Sequence, residues 1–207
     1  MSVSDKAREK DEGLAEIQLQ QSRSVARREL LLDTAAALIA ENGAKGFALR
    51  DVRKAAGVSQ GSLYQYFPSK DDLISALHER FANEALERLG RVAEALAAAS
   101  EGEDLAATLV DAIIDQFAPF YAKHPAYREL RLTGGPVVED GENTLDRIVV
   151  QRTAAMLQRL YPDQSDGILQ IRATALLNMT DALLFDADTP VWREEARIAL
   201  SAYLKAH

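Results

Sequence analysis

Apolar residues along this chain recur three and four positions apart, in segments separated by Gly, Pro and Asp clusters, and no stretch alternates apolar with polar as a half-buried strand would. The pattern predicts an all-α protein of about nine helices, without internal repeats. A first helix over Ser24–Glu41 turns Leu31, Ala35, Leu38 and Ile39 inward and stops at Asn42-Gly43, after which Phe47 plugs a small core. Residues 1–22 are polar and read as a flexible arm, with Leu14, Ile17 and Leu19 enough for a marginal helix only.

The segment LRDVRKAAGVSQGSLYQYFPSK, Leu49 to Lys70, has the layout of a helix-turn-helix. A short helix Leu49–Ala56 spaces Leu49, Val52 and Ala56 on one side, and Gly57 supplies a residue tolerant of positive φ where the chain turns. Val58 pins the turn, and Ser59 caps a second short helix. The first turn of that helix, Gln60, Gly61 and Ser62, is small and polar enough to approach base edges. Pro68 and Ser69 then open a long helix over 69–99, in which Ser69 and Asp72 form an S-x-x-D cap and Leu73, Leu77 and Phe81 a buried stripe.

Five further helices follow: Asp104–Lys123, which Pro119 is expected to kink or interrupt; Ala126–Leu132; Glu142–Leu160; Asp163–Phe185; and Pro190–Lys205, with Pro190 near its first turn. The loops Thr133–Pro136 and Glu139–Gly141 form the most flexible stretch of this part. The last two helices are apolar on more than one side, with Ile168, Leu169, Ile171, Leu176, Leu177, Met179, Leu183 and Leu184 in one and Trp192, Ile198, Leu200, Tyr203 and Leu204 in the other. Small residues such as Ala173, Ala175, Ala182, Ala196, Ala199 and Ala202 permit close approach, so the pair suits a homodimer interface. A central buried hairpin of a monomer is the alternative.

Charge changes the picture more than composition does. The net charge of −8 is unpromising for a nucleic-acid binder, yet residues 22–70 carry +4 while 1–21 carry −2 and 71–207 carry −10. A basic head on an acidic body meets phosphate with one end only, unless the clustering is chance. With no cysteine there is no disulfide, thiolate metal site or Cys nucleophile. His78, His124 and His207 show no metal-ligand spacing, and neither G-x-S-x-G nor a phosphate loop is present. No metal, cofactor or catalytic residue is expected, and the acids of 71–207 read as solvated helix faces. Apolar runs fall short of the roughly 18 to 20 residues that span a bilayer, and MSVSDKAREKDE lacks the apolar core of a signal peptide, so a cytoplasmic protein is expected.

The stretch ALRDVRKAAGVSQGSLYQYFPSKDDLI resembles the signature of the TetR family of transcriptional regulators. The specific part is read as Ala56, Gly57, Val58, Ser59, Gly61, Ser62, Leu63, Tyr64, Tyr66, Phe67, Ser69, Lys70 and Leu73. The resemblance covers roughly the first 80 residues and implies a homodimer in which 23–68 bind DNA and 69–207 bind a small ligand and dimerise, joined by helix 69–99. It makes Ser59–Tyr64 the recognition helix. Ser59, Gln60 and Ser62 then reach base edges or nearby phosphates, and Gly61 permits close approach. Tyr64, Tyr66 and Lys70 contact the DNA backbone, with Arg50, Arg27 and Arg28 adding phosphate charge. Bland roles stand beside these: Ser59 as a cap alone, Tyr66 or Phe67 as core, Arg23 and Lys45 as solvated charges. Two positions depart from the family. Ala48 replaces a common Thr that caps and touches phosphate, and Arg53 stands where a small Ala usually packs, its stem left to snorkel.

The implied mechanism is a ligand-driven shift between dimers whose recognition helices do and do not match successive major grooves, about 34 Å apart. The effector, partly apolar, would meet Phe117, Phe120, Tyr121, Tyr127, Met156, Leu157, Leu160, Leu177 and Asn178, each of which ordinary core packing also explains. Asn178 and Asp181 stand out as polar residues inside an apolar helix, needing partners in a ligand or a twin subunit. The reading is therefore a ligand-responsive regulator, most often a repressor, bound to a palindromic operator on double-stranded DNA. The alternative is an all-helical dimeric interaction protein without specific operator recognition.

Overall fold

A computed structural model of the chain describes residues 3–100, 102–132, 145–185 and 189–206, with side chains outside 3–17, 132 and 145–146. Among the described residues there are nine α-helices and no strand, in keeping with the apolar spacing. They fall into two compact units, Met1–Leu73 and Ile74–His207.

The first unit, the head, holds α1 (Val3–Gly46), α2 (Leu49–Ala56), α3 (Gln60–Tyr66) and the first turn of α4 (Lys70–Ala98). Its buried side chains include Leu31, Leu32, Ala35, Ile39, Phe47, Val52, Leu63, Phe67 and Leu73, while Leu38, Leu49, Ala56 and Val58 are only half-buried. Helix α1 begins at Val3, far upstream of the Ser24 start that apolar spacing suggests. Polarity limits what a segment can bury, but a run with one Gly and no Pro extends an existing helix without a new nucleation cost. Gly43, at φ 74° and ψ 159°, breaks the regular helix where Asn42-Gly43 marks its stop, and one more turn runs on to Gly46.

The second unit, the body, holds the rest of α4 with α5 (Leu105–Lys123), α6 (Pro125–Leu132), α7 (Leu145–Leu160), α8 (Asp166–Leu184) and α9 (Pro190–Lys205). Helix α5 packs against α6, α8 and α9, and α7 lies along α8. Asp104 caps α5 by accepting from the Ala106 and Ala107 amides, both at 3.1 Å. Of the kink or interruption expected at Pro119, the interruption does not occur: its ring is exposed, and the helix continues to Lys123. An exposed face tolerates the lost amide donor because water reaches the carbonyl one turn back. Pro125 and Pro190 both open helices, where their missing N–H is no loss. The two flexible loops expected at 133–136 and 139–141, and the expected helix start at Glu142, lie outside the described residues.

Candidate nucleic-acid interface and effector site

Gly57 ends α2 in the left-handed region at φ 65°, where its N–H donates to the Lys54 carbonyl and that of Val58 to the Arg53 carbonyl, each at 3.3 Å. This pair of bonds closes the helix end and reverses the chain within two residues. Ser59 then takes extended backbone angles, and its Oγ accepts the Ser62 amide at 3.2 Å, which starts α3. Ala48 has no side chain to cap α2, but the Asp51 carboxylate accepts its N–H at 3.1 Å, so half of a capping box survives. Arg53 is half-buried, as a stem lying along the surface would be.

Helix α3 buries Leu63, with Phe67 buried just after it, and turns Gln60, Gly61, Tyr64 and Gln65 outward; Tyr64 is 46% exposed. A Cβ built on Gly61 would meet nothing within 4 Å, so the outer side of this turn is open. Ser62 and Tyr66, both half-buried, face α1: the Tyr66 hydroxyl lies 3.0 Å from Ser24 Oγ, and Arg27 donates to Ser62 Oγ at 3.5 Å. Arg28 is paired with Glu29 at 3.2 Å and stands 5.8 Å from the Phe67 ring, while Arg50 is exposed beside Asp51 at 3.7 Å. Lys70 turns inward, its ammonium donating to the Phe47 carbonyl at 2.9 Å. Of the ten DNA-contact residues expected from sequence, Arg27, Ser59, Gln60, Gly61, Ser62, Tyr64 and Tyr66 therefore share one region with Ser24. Gln65 and Ser24 were not expected there. The first lay one residue beyond the expected end of α3; the second is set beside Tyr66 by a tertiary contact that leaves no local signal.

In the body, Phe117, Phe120 and Tyr121 on α5 gather with Tyr127 on α6 and Phe185, the C-cap of α8, in a chain of edge-on and tilted rings 4.7–6.3 Å apart. Phe81 and His124 complete the cluster. The Tyr121 hydroxyl donates to Asp181 of α8, whose other carboxylate oxygen accepts Arg131 at 3.0 Å. Burial pushes the Tyr121 phenol well above its ordinary range and the adjacent Asp181 carboxylate adds to this, so the phenol stays a donor. Glu84 takes Arg88 at 2.8 Å, His124 Nε2 at 2.8 Å and Lys123 at 3.4 Å. Burial would raise Glu84, but Arg88, His124 and Lys123 outweigh it and hold its carboxyl at about 2. Burial lowers His124 despite Glu84, and because an ionised carboxylate can only accept, the ring donates from Nε2 in this pair.

The other expected effector residues are on α7 and α8. On α7, Met156 and Leu157 are buried and Leu160 is half-buried; on α8, Leu177 is half-buried. Asn178 is exposed, which corrects its reading as a buried polar group. It shares an outward seam of α8 with Ile168, Ile171, Ala175 and Ala182, spaced three and four apart, and Ile171 is 67% exposed. Helix α9 carries a matching outward row of Val191, Glu195, Ile198 and Ala202. Among the described residues no helix is long and apolar enough to cross a membrane.

Comparison with known proteins agrees with this geometry. The family described as "Bacterial regulatory proteins, tetR family" matches residues 31–77, and "Tetracyclin repressor-like, C-terminal domain" matches 103–206. The transcriptional repressor KstR2 of Rhodococcus jostii is 35% identical over 100 residues, covering 48% of this chain and 46% of that protein. The chain thus aligns with about half the length of this curated relative. A TetR-family regulator of Streptomyces coelicolor has a similar structure, with a TM-score of 0.60 and 24% identity over 87% of this chain and 98% of that one. A TetR-family regulator of Mesorhizobium loti reaches 0.63 at 18% identity, over 89% and 96% of the two chains. AibR, solved with isovaleryl coenzyme A and operator DNA, reaches 0.62 at 15% identity, over 85% and 96%. With both halves of the family pattern matched and the helix-turn-helix formed as its residues require, the chain belongs to the TetR family of bacterial regulatory proteins.

Proposed function

We propose that this protein is a homodimeric transcriptional repressor of the cytoplasm that binds a palindromic DNA operator and releases it when a partly apolar small molecule binds the body. The observation that carries the reading is the outer face of α3. Gln60, Gly61, Tyr64 and Gln65 stand clear of the core on a helix whose buried face is anchored by Leu63. The open space beside Gly61 and the polar side chains around it suit close approach to the edges of a major groove. Gln60 reads base edges, Tyr64 and Tyr66 hold the phosphate backbone, and Arg27, Arg28 and Arg50 add charge. The exposed Ile168 and Ile171 of α8 and Val191 and Ile198 of α9 support dimerisation through these helices, since a lone subunit would leave them in water. The aromatic cluster of Phe117, Phe120, Tyr121 and Tyr127 supports an effector with apolar surface, and AibR shows that a neighbour of the same fold is found with an acyl thioester and operator DNA together.

The test is selection of duplexes from a random pool by the full chain. The expected result is enrichment of a palindrome bound with a preference over random duplex that survives raised salt; Gln60→Ala then relaxes that preference about 10-fold or more, as losing a base contact of about 1–3 kcal/mol requires. Absence of any enriched sequence would overturn the reading in favour of a dimeric interaction protein.

A further inference from the structure

The outward row of α9 has a carboxylate in its middle. Glu195 stands between Val191 and Ile198, is exposed, and has no ion pair or hydrogen bond to its side chain among the described residues. The other acid of α9, Glu194, is already paired with Arg197. Arg172, the only basic residue of α8, is the complementary irregularity. It is half-buried on the flank of the seam of Ile168, Ile171 and Ala175, with its guanidinium 4.5 Å from the centroid of the Tyr161 ring and its Nη1 buried without an acceptor. A ring face takes up positive charge but is only a weak acceptor, so the buried nitrogen stays unsatisfied at a cost. Within one subunit the two groups do not meet. Trp192 donates to the Leu183 carbonyl at one end of the α8–α9 pair; at the other, Arg172 lies over Tyr161, whose hydroxyl donates to the Leu204 carbonyl. The helices therefore run antiparallel, with Glu195 level with Thr180, eight residues or about 12 Å along the pair from Arg172.

We infer that Glu195 of one copy pairs with Arg172 of a second copy, across a two-fold axis that crosses α8 and α9 at the level of Leu176. The two outward rows together run from the level of Ile168 to that of Leu184, which Val191 faces, and Leu176 is their midpoint. An axis crossing the helices there brings a residue four places beyond the midpoint to the level of one four places before it. Thr180 and Arg172 are those two places, so Glu195 arrives level with the second copy's Arg172, and symmetry forms the pair twice. An axis running along the helices keeps every level unchanged; Glu195 then meets a part of α8 with no basic residue. Covering a carboxylate with a partner is costly unless a cation with hydrogen-bond donors meets it, and the Arg172 guanidinium offers a fork of N–H groups that fits one. The pair thereby selects how two copies face each other, on a surface whose apolar residues alone do not.

The inference rests on the proposed dimer, and its test separates the two. The dimer dissociation constant of the full chain is measured by sedimentation for wild type, Glu195→Arg, Arg172→Glu and the doubly reversed protein, with the helical signal as the check of folding. Each single reversal sets like charges together and is expected to raise the constant about 30-fold or more; the double reversal should return it to within about 5-fold of wild type. The chain has no cysteine, so single cysteines report the axis directly. Ala175→Cys, one residue from the axis, should form a disulfide with its own copy under mild oxidation, whereas Ile168→Cys, eight residues away and so about 24 Å from its copy, should not. If a reversed protein loses its helical signal, the cysteine variants decide. Unchanged dimers in the single reversals, a double reversal as weak as either, or a disulfide at Ile168 and none at Ala175 would overturn the pairing and leave the dimer standing. A wild type that stays monomeric throughout the micromolar range would overturn the dimer, and the pairing with it.

Discussion

Helix α3 of the head and helices α8 and α9 of the body turn opposite kinds of group outward. The head buries Leu31, Leu32, Ile39, Phe47, Leu63 and Phe67 and turns polar residues outward on α3, where its contacts, Tyr66 to Ser24 and Arg27 to Ser62, lie at the surface. The body draws ionisable groups inward, with Glu84 among Arg88, Lys123 and His124 and Asp181 between Tyr121 and Arg131, and leaves Ile168, Ile171, Val191 and Ile198 exposed. The difference fits the roles proposed for the two surfaces. A polar outer face is complementary to a wet, charged partner that comes and goes; an apolar outer face is complementary to a permanent one.

The comparison breaks most severely if the body's outer rows are charged. Ile171→Asp with Ile198→Asp should weaken self-association by about 3–5 kcal/mol, seen as a monomer at micromolar concentration in sedimentation, with the helical signal kept. An unchanged dimer would return these rows to the status of ordinary exposed apolar residues.

Next in size is the body's inward charge. The folded-state value of Glu84 lies below the ordinary 4.5, so its contribution is present above that pH and is lost as pH falls from about 5 toward about 2. Its size is on the order of 2 kcal/mol. Glu84→Gln should therefore lower stability at pH 7 and flatten the acid limb of a urea-midpoint profile between those limits; a profile parallel to wild type would show that Arg88 and His124 do not depend on this carboxylate.

The smallest effect sharpens the head. Ser59→Ala removes the oxygen that accepts the Ser62 amide and should cost about 1 kcal/mol, read as a small drop in melting temperature. Amide exchange should rise in α3 and leave the body unchanged.

The helix-turn-helix was legible because its signals are local. Gly57 at a left-handed turn and Ser59 at a cap are properties of a few consecutive residues, and both appear where their residue types require them. The start of helix α1 is not legible from apolar spacing, because polarity opposes burial and not helix formation. Pro119 was expected to disturb α5, and its exposed setting explains why the helix continues. The inward turn of Lys70 and the outward turn of Asn178 were not legible, because each depends on which residues from distant segments arrive beside it. Periodicity shows that α8 has more apolar positions than one face needs; it does not say which of them the rest of the subunit leaves uncovered.

Trp192, the chain's one tryptophan, stands in the first turns of α9 at 42% exposure, its indole N–H donating to the Leu183 carbonyl at 2.6 Å. It sits next to Val191, at the head of the outward row of α9. A chromophore fixed by a backbone bond and half open to water emits at a wavelength set by what covers its open side. The protein thus carries its own optical gauge of whether that side is wet or covered, readable on dilution without any label.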